Sequence, residues 1–487
     1  MPWPAKGPRS LVGGAHPGAA RVVRPLARLL VLALVAALLS GSQAGASEVT
    51  VRSWVTDGEG TRALSPAPPT DFDAERLDDD VLVDPARRGQ RFQGAGASVT
   101  ESSAELLGRL PEERRRKLVT ELFTTEGLGL SYLRQPLGAS DFVARLPYYT
   151  YEDERGTFSV ARDEKAILPL LREARRVNPG LRIMASPWSA PAWMKENGTL
   201  SGGRLSPDHY DDFADYLVRS LRAYAKAGVP VQDLSVANEP MFEAIYPSMA
   251  MSSGQQARLL RVVDEKLTAA GLDTTLYVFE HNWDHPEYPL DVLRKTSDLS
   301  RVRGAAFHCY KGEPERQSEV RRAGYPVLFT ECSGTDGEDG TQDLAAALRW
   351  QTENWVIRPL RAGAETVVLW NLALDQDGGP HAGYCQDCNG VVEVRGEKVH
   401  RNAEYYALGH LGRFVRPGAR RIASDGRGPH APHSVAFRNP DGSRVLLVLN
   451  KGEEARTFSV TENGASARYE LPPGGVATLK WPGPPTG

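Results

Sequence analysis

The stretch SPDHYDDFADYLVRSLRAYAKAG, residues 206–228, is followed after VPVQD by LSVANEP, residues 234–240. The first part reads as a helix. Ser206 is a cap, Pro207 sits in the first turn, Tyr210, Phe213, Leu217, Leu221 and Tyr224 share one apolar face, and Gly228 ends it. The second part reads as a short buried strand that stops at Asn-Glu-Pro. The same rhythm extends in both directions. Apolar runs fall at Phe92–Val99, Leu130–Pro136, Arg182–Ser189, Leu234–Pro240, Thr275–Trp283, Val302–Tyr310, Pro326–Cys332 and Thr366–Asn371, with helical patterns between them. Eight strand–helix units over about 300 residues predict an α/β fold, a (β/α)8 TIM barrel. A doubly wound open sheet is the alternative, weakened because no G-x-G-x-x-G follows a strand.

Beyond a helix-like segment at Tyr405–Phe414 the pattern changes. Short runs at Ser434–Arg438, Arg444–Leu449, Thr457–Thr461 and Ala467–Leu471 are separated by turn-rich stretches. These hairpin signals predict an appended antiparallel β-sandwich. Strand-like residues near 48–56 have no partners nearby and are expected to complete it, while Asp57–Thr70 reads as a Pro-heavy turn region. The expected organisation is residues 1–46 as an export signal, 47–90 as N-terminal strands of the sandwich, 91–416 as the barrel and 417–487 as the C-terminal sandwich.

The formal charge of the 487-residue chain is −3, an average of two unlike parts. Residues 1–46 hold five basic residues and no acid, so the rest carries 53 basic against 61 acidic residues, a net −8. Such a body has no electrostatic reason to seek nucleic acid. Arg21, Arg24 and Arg28 precede the apolar run Leu29–Leu39 and a small-x-small site at Ala44-Gly45-Ala46. That pattern predicts a cleaved signal peptide and a secreted protein. The run is too short to span a bilayer, which takes roughly 20 apolar residues, so no stable membrane insertion is expected.

Barrel chemistry sits where strands end. Arg134 and Asp141 follow from strand two, Trp188 and Trp193 from strand three, and Asn238-Glu239-Pro240 from strand four. His308-Cys309-Tyr310 closes strand six, Thr330-Glu331-Cys332 strand seven and Trp370-Asn371 strand eight. Aromatic faces suit the C–H face of a sugar, and the polar groups suit its hydroxyls. Two carboxylates are what glycoside hydrolysis needs: one protonates the leaving oxygen, the other attacks or activates water. Glu239 is expected as the acid/base, kept protonated by apolar enclosure. Glu331 is expected as the nucleophile, kept ionised by Arg134 and Tyr310, and Arg134 is expected among the substrate-binding residues as well.

Six segments resemble glycoside hydrolase family 30, the glucosylceramidase-like group: Phe92–Ala97, Gly138–Phe142, Ala185–Trp188, Ala237–Pro240, Phe329–Cys332 and Trp370–Leu374. The resemblance implies a barrel fused to a sandwich built from both chain ends, and hydrolysis with retention of configuration. It implies Glu239 as acid/base and Glu331 as nucleophile, with Asp141, Trp188, Asn238, His308, Tyr310 and Trp370 contacting the terminal sugar. Cys309, Ser333 and the loop His381–Cys388 depart from that group's pattern, which leaves the aglycone open.

The remaining signals carry less. Cys385 and Cys388 form C-x-x-C, read in an exported protein as a local disulfide ahead of free thiols or metal. Cys309 and Cys332 are equally readable as a bridge and as buried thiols. His281 and Trp283 face either mouth or core, and Trp193 reads as a sugar platform ahead of loop packing. The run Arg114–Lys117 behind Glu112 and Glu113 reads as a solvated helix face. Asn197-Gly198-Thr199 fits a glycosylation acceptor. The expected protein is a secreted retaining β-glycosidase acting on a β-glucoside, glucosylceramidase-like, with no metal and no cofactor. A β-1,6-glucanase or other β-glycanase of the same family, an inactive carbohydrate-binding protein and a zinc hydrolase built on the C-x-x-C loop are the alternatives.

Overall fold

The computed structural model of the protein describes residues 49–336, 342–382 and 384–483. The export segment expected over residues 1–46 lies outside them. Three strands come first: β1 (Thr50–Thr56), β2 (Ser65–Asp71) and β3 (Asp80–Arg91). The stretch expected as a Pro-heavy turn region thus ends in a strand, paired with β1 on one side only. Pro66, Pro68 and Pro69 are tolerated there because an edge strand leaves outward N–H groups unused, and they blunt that edge against further pairing.

The barrel strands are β4 (Gly94–Ser98), β5 (Tyr132–Leu137), β6 (Arg182–Pro187), β7 (Asp233–Ser235), β8 (Thr275–Asn282), β9 (Val302–His308), β10 (Val327–Glu331) and β11 (Thr366–Asn371). Their ladder is parallel throughout. The Trp370 amide donates to the Cys332 carbonyl at 2.8 Å between β11 and the end of β10, which closes the ring. Poor strand formers make up β4, and one of them is required. A Cβ on Gly96 would lie 1.7 Å from the Tyr132 carbonyl oxygen, so only glycine lets β4 meet β5. The fourth strand stops at Ser235, earlier than the run to Pro240 suggests, and Asn238 and Glu239 stand on the loop beyond it. The quoted helix spans Tyr210–Lys226 behind a 3-10 turn at Pro207–His209. Ser206 makes no side-chain cap; Asp211 and Asp212 in the first turn complement the dipole instead.

After β11 comes a small sheet that the hydrophobic pattern does not announce, β12 (Ala373–Asp375), β13 (Val392–Arg395) and β14 (Lys398–Arg401). Six more strands follow: β15 (Arg420–Arg427), β16 (His433–Arg438), β17 (Arg444–Leu449), β18 (Arg456–Glu462), β19 (Ala465–Leu471) and β20 (Val476–Trp481). With β1–β3 they form one nine-stranded sheet, ordered β19-β18-β3-β15-β16-β17-β20-β1-β2. All its pairs are antiparallel except β18 with β3. An Ala74–Ser466 bridge brings the two edges together, so the sheet folds over a core that includes Val51, Val83, Phe458 and Trp481. Its opposite face joins the main core, where Phe437 meets Phe92 at 5.6 Å between ring centroids. Among the described residues no helix is long and apolar enough to cross a membrane.

His410, on the helix Ala403–Gly412, stitches the sheet to the barrel. The Thr478 hydroxyl gives its one proton to the His410 carbonyl at 2.7 Å, so at 3.0 Å it can only accept from Nδ1. The Thr56 hydroxyl accepts from the Leu64 amide and donates to Nε2 at 2.8 Å. Neutral imidazole satisfies every partner, and burial, helped by the Arg413 charge, lowers its pKa to about 3. The unfolded chain takes up this proton near the ordinary ~6.5. The contribution is therefore complete above that value and is lost as the pH falls towards 3. Thermal unfolding of the wild type should lose Tm between pH 7 and 4.5 more steeply than that of His410→Gln; parallel curves would remove His410 from this role.

Candidate active site

Arg134 has no exposed surface and sits under the mouth of the barrel. A buried guanidinium needs partners for its charge and its N–H groups. Nη1 meets Glu331 Oε2 at 2.5 Å, Nη2 donates to Asn238 Oδ1 at 2.7 Å, and Nε pairs with Glu280 Oε1 at 2.7 Å. Its flat face lies 4.6 Å from the ring centre of Trp188 and 5.5 Å from that of Trp370. These two indoles stack at 5.0 Å. One side chain from β5 thereby fixes groups contributed by β6, β8, β10, β11 and the loop after β7.

His308, at the end of β9, is the second hub. Its Nδ1 is 3.0 Å from Glu239 Oε1 and 3.8 Å from Glu331 Oε1, and its Nε2 is 3.3 Å from Glu280 Oε1. Burial works against an imidazolium here. The charge of Glu331, hydrogen bonds to Glu239 and Glu280 and the charge of Glu239 outweigh it and raise the pKa to about 9. Burial likewise pushes the Glu239 carboxyl up, but hydrogen bonds from His281 and His308 and their charges carry it well below the usual carboxylate range. The apolar enclosure expected to keep Glu239 protonated is therefore outweighed, and the proton shared by this pair rests on the imidazole side. Asp141 moves the other way. Burial, then the charge of Glu331, raises it to about 8, and its Oδ1 has no hydrogen-bond partner.

Glu331 accepts on both oxygens, from Arg134 and from the Tyr310 hydroxyl at 2.9 Å. Above it opens a cavity of about 490 Å³, lined among others by Asp141, Trp188, Asn238, Glu239, Tyr310, Glu331 and Trp370. The structure thus brings these seven sequence-identified residues to one surface. Arg134 and His308, expected against the sugar, are sealed beneath it and act through the carboxylates. Trp193 is elsewhere: its indole N–H binds the Glu152 carbonyl and Arg155 covers its ring, so it packs a loop. Trp283 is core, bonded to Gln317, whereas His281 lines the cavity 3.4 Å from Glu239.

One feature was not anticipated. Glu280 is fully buried, and its charge compensates both Arg134 and His308. It stands in a bulge, where Phe279 and Glu280 have φ of 76° and 66° and the β8–β9 register slips. The four cysteines pair as Cys309–Cys332 and Cys385–Cys388, the second lining the cavity mouth. Among the described residues one cluster has metal-ligand spacing, Glu239, His281 and His308.

The model of the glycosyl hydrolase family 30 TIM-barrel domain matches residues 92–415, and that of the family's β-sandwich domain matches residues 418–479. An endo-1,6-β-D-glucanase of Neurospora crassa is 31% identical over 75% of this chain and 80% of its own. The lysosomal acid glucosylceramidase of Mus musculus is 26% identical over 82% of this chain and 83% of its own. A solved endo-β1,6-glucanase superposes with a TM-score of 0.83 at 29% identity, covering 89% of this chain and all of that one. With both domains matched around the two strand-end glutamates, the chain belongs to glycoside hydrolase family 30 and is a glycoside hydrolase.

Proposed function

We propose that this protein is an exported, retaining endo-β-1,6-glucanase. The observation that carries the chemistry is one imidazole nitrogen lying 3.0 Å from Glu239 and 3.8 Å from Glu331. Two carboxyl oxygens that share such a neighbour are at most about 7 Å apart, which suits retaining enzymes at roughly 5–5.5 Å better than inverting ones at roughly 6.5–9.5 Å. The substrate assignment rests on similarity: 31% identity to a β-1,6-glucanase against 26% to a glucosylceramidase. Export is supported by the N-terminal pattern and by two disulfides, which persist in oxidising compartments.

In the first step the Glu331 carboxylate attacks the anomeric carbon. Arg134 and Tyr310 hold it in line while charge leaves it. The departing oxygen takes a proton from Glu239, which draws on its hydrogen bond to His308. In the second step Glu239 removes a proton from water, and that water displaces the sugar from Glu331. Trp188 and Trp370 form a buried aromatic wall beside the ring, and the unpartnered Asp141 oxygen and Asn238 meet its hydroxyls.

Glu331→Gln should abolish turnover of β-1,6-glucan, and Glu239→Gln should lower it by about 10²–10⁴-fold. Near-wild-type rates in either variant would displace that residue from its role. NMR of the first-formed product should show the β-anomer; an α-anomer would exclude retention. A side-by-side assay on β-1,6-glucan, glucosylceramide and a β-xylan should favour the glucan, and a preference for the glycolipid would reassign the leaving group. The pH profile tests the shared proton. With His308 at about 9, kcat/KM should fall on an alkaline limb near that pH. In His308→Gln the limb should move towards acid by about one unit or more, because Glu239 then holds its proton alone. An unmoved limb would show that His308 does not feed the acid.

A further inference from the structure

A second cleft, of about 810 Å³, opens beside the catalytic cavity. The two share a wall: Ser333 and Thr335, just past the nucleophile strand, line both. That wall is held in place by a hydrogen bond from the Asn389 backbone N–H to the Gly334 carbonyl at 2.8 Å and by an antiparallel backbone β-bridge between Thr335 and Cys388. The far side is the helix Leu344–Gln351, which continues as a π-helix at Thr352–Ile357.

The π-helix has a definite consequence. Residues five apart on an α-helix, at 3.6 per turn, point roughly 140° away from each other. Hydrogen bonding to the fifth residue brings them back to nearly one face. Trp355 therefore lies against Trp350, edge to face, with centroids 5.5 Å apart. The inner indole is buried, while Trp350 is 55% exposed over the cleft. Two buried polar atoms of the lining, Trp355 Nε1 and Gln351 Oε1, have no hydrogen-bond partner. An indole face backed by a second indole, next to an unused donor and an unused acceptor, is the complement of a neutral sugar: C–H face on one side, hydroxyls on the other.

We propose that this cleft binds further glucosyl units of the β-1,6-glucan chain whose scissile bond lies in the catalytic cavity, with Trp350 as the stacking platform. The proposal rests on the glucanase reading for its ligand. Continuity through Ser333 and Thr335 supplies the path. A chain held at both places gains from the high effective concentration of its second contact.

The test uses the full chain. Trp350→Ala should lower kcat/KM on polymeric β-1,6-glucan by about 10-fold or more, mainly through KM, while an aryl β-glucoside is turned over as before. Trp350→Phe should recover most of the loss. An unchanged polymer KM, or an equal loss on both substrates, overturns the proposal, the latter by marking a structural role. Retardation in a β-1,6-glucan gel needs no cleavage and separates the two readings. Glu331→Gln protein should be retarded, and adding Trp350→Ala should release it. If the wild type splits aryl glucosides but not β-1,6-glucan, the glucanase reading fails on its own. Retardation that depends on Trp350 would then still uphold the cleft, and absent or Trp350-independent retardation would overturn it.

Discussion

A guanidinium with no access to water has to be neutralised where it stands, and most of the site follows from how Arg134 meets that requirement. Glu280 and Glu331 supply the charge, Asn238 accepts the remaining fork, and Trp188 and Trp370 cover the flat face. Each of those groups comes from a different strand end. Satisfying Arg134 therefore positions Glu331, the neighbour of Glu239 and the aromatic wall together. By formal charge, Arg134 and His308 as cations stand against Glu239, Glu280 and Glu331 as anions. One negative charge is left over, the sign that favours an oxocarbenium-like transition state.

Backbone strain serves the same end. Glu239 has φ of 41°, in the left-handed region that a non-glycine residue enters at a cost of about 1–3 kcal/mol. Its amide donates to the Glu280 carbonyl at 3.0 Å, which ties one strained residue to another. Had the chain continued as regular strand beyond Ser235, successive side chains would have alternated between core and exterior. Breaking that alternation turns Glu239 towards His281 and His308. The bulge at Phe279–Glu280 does the equivalent on β8: the inserted residue lets Glu280 reach Arg134 and His308 while His281, next in sequence, reaches Glu239.

These details separate what the sequence made legible from what it hid. Eight apolar runs with helices between them announced the barrel, and the polar and aromatic residues at the ends of six of them announced the mouth, because strand ends are where side chains leave the packed interior. Glu280 was hidden, since it lies inside an apolar run and its orientation depends on a bulge that period-two reasoning does not foresee. Arg134 and His308 were located, but their depth was not. Whether a polar side chain lines a cavity or supports it from below depends on neighbouring strands far away in sequence. Trp193 misled because a tryptophan after a strand end looks alike as platform and as packing; only the Glu152 carbonyl and Arg155 decide it. The Pro-rich β2 was hidden because prolines argue against strand unless the edge position is already known.

The outer parts of the molecule protect the same geometry. Cys309 and Cys332 lie one residue past His308 and Glu331, so their bridge joins β9 to β10 where the two side chains must stay in register. Tyr310 follows Cys309 directly, and its hydroxyl reaches Glu331 across that joint. A disulfide there limits how far Glu331 can drift from its hydrogen-bond donor. The sandwich works at longer range. Its sheet is built from both ends of the described chain, and one face of it belongs to the main core. The barrel is consequently clasped by strands that precede β4 and strands that follow β11, its first and last strands, which pair with each other. A barrel that must hold five charges in one arrangement, four of them buried, gains from being fastened at the seam where its first and last strands meet.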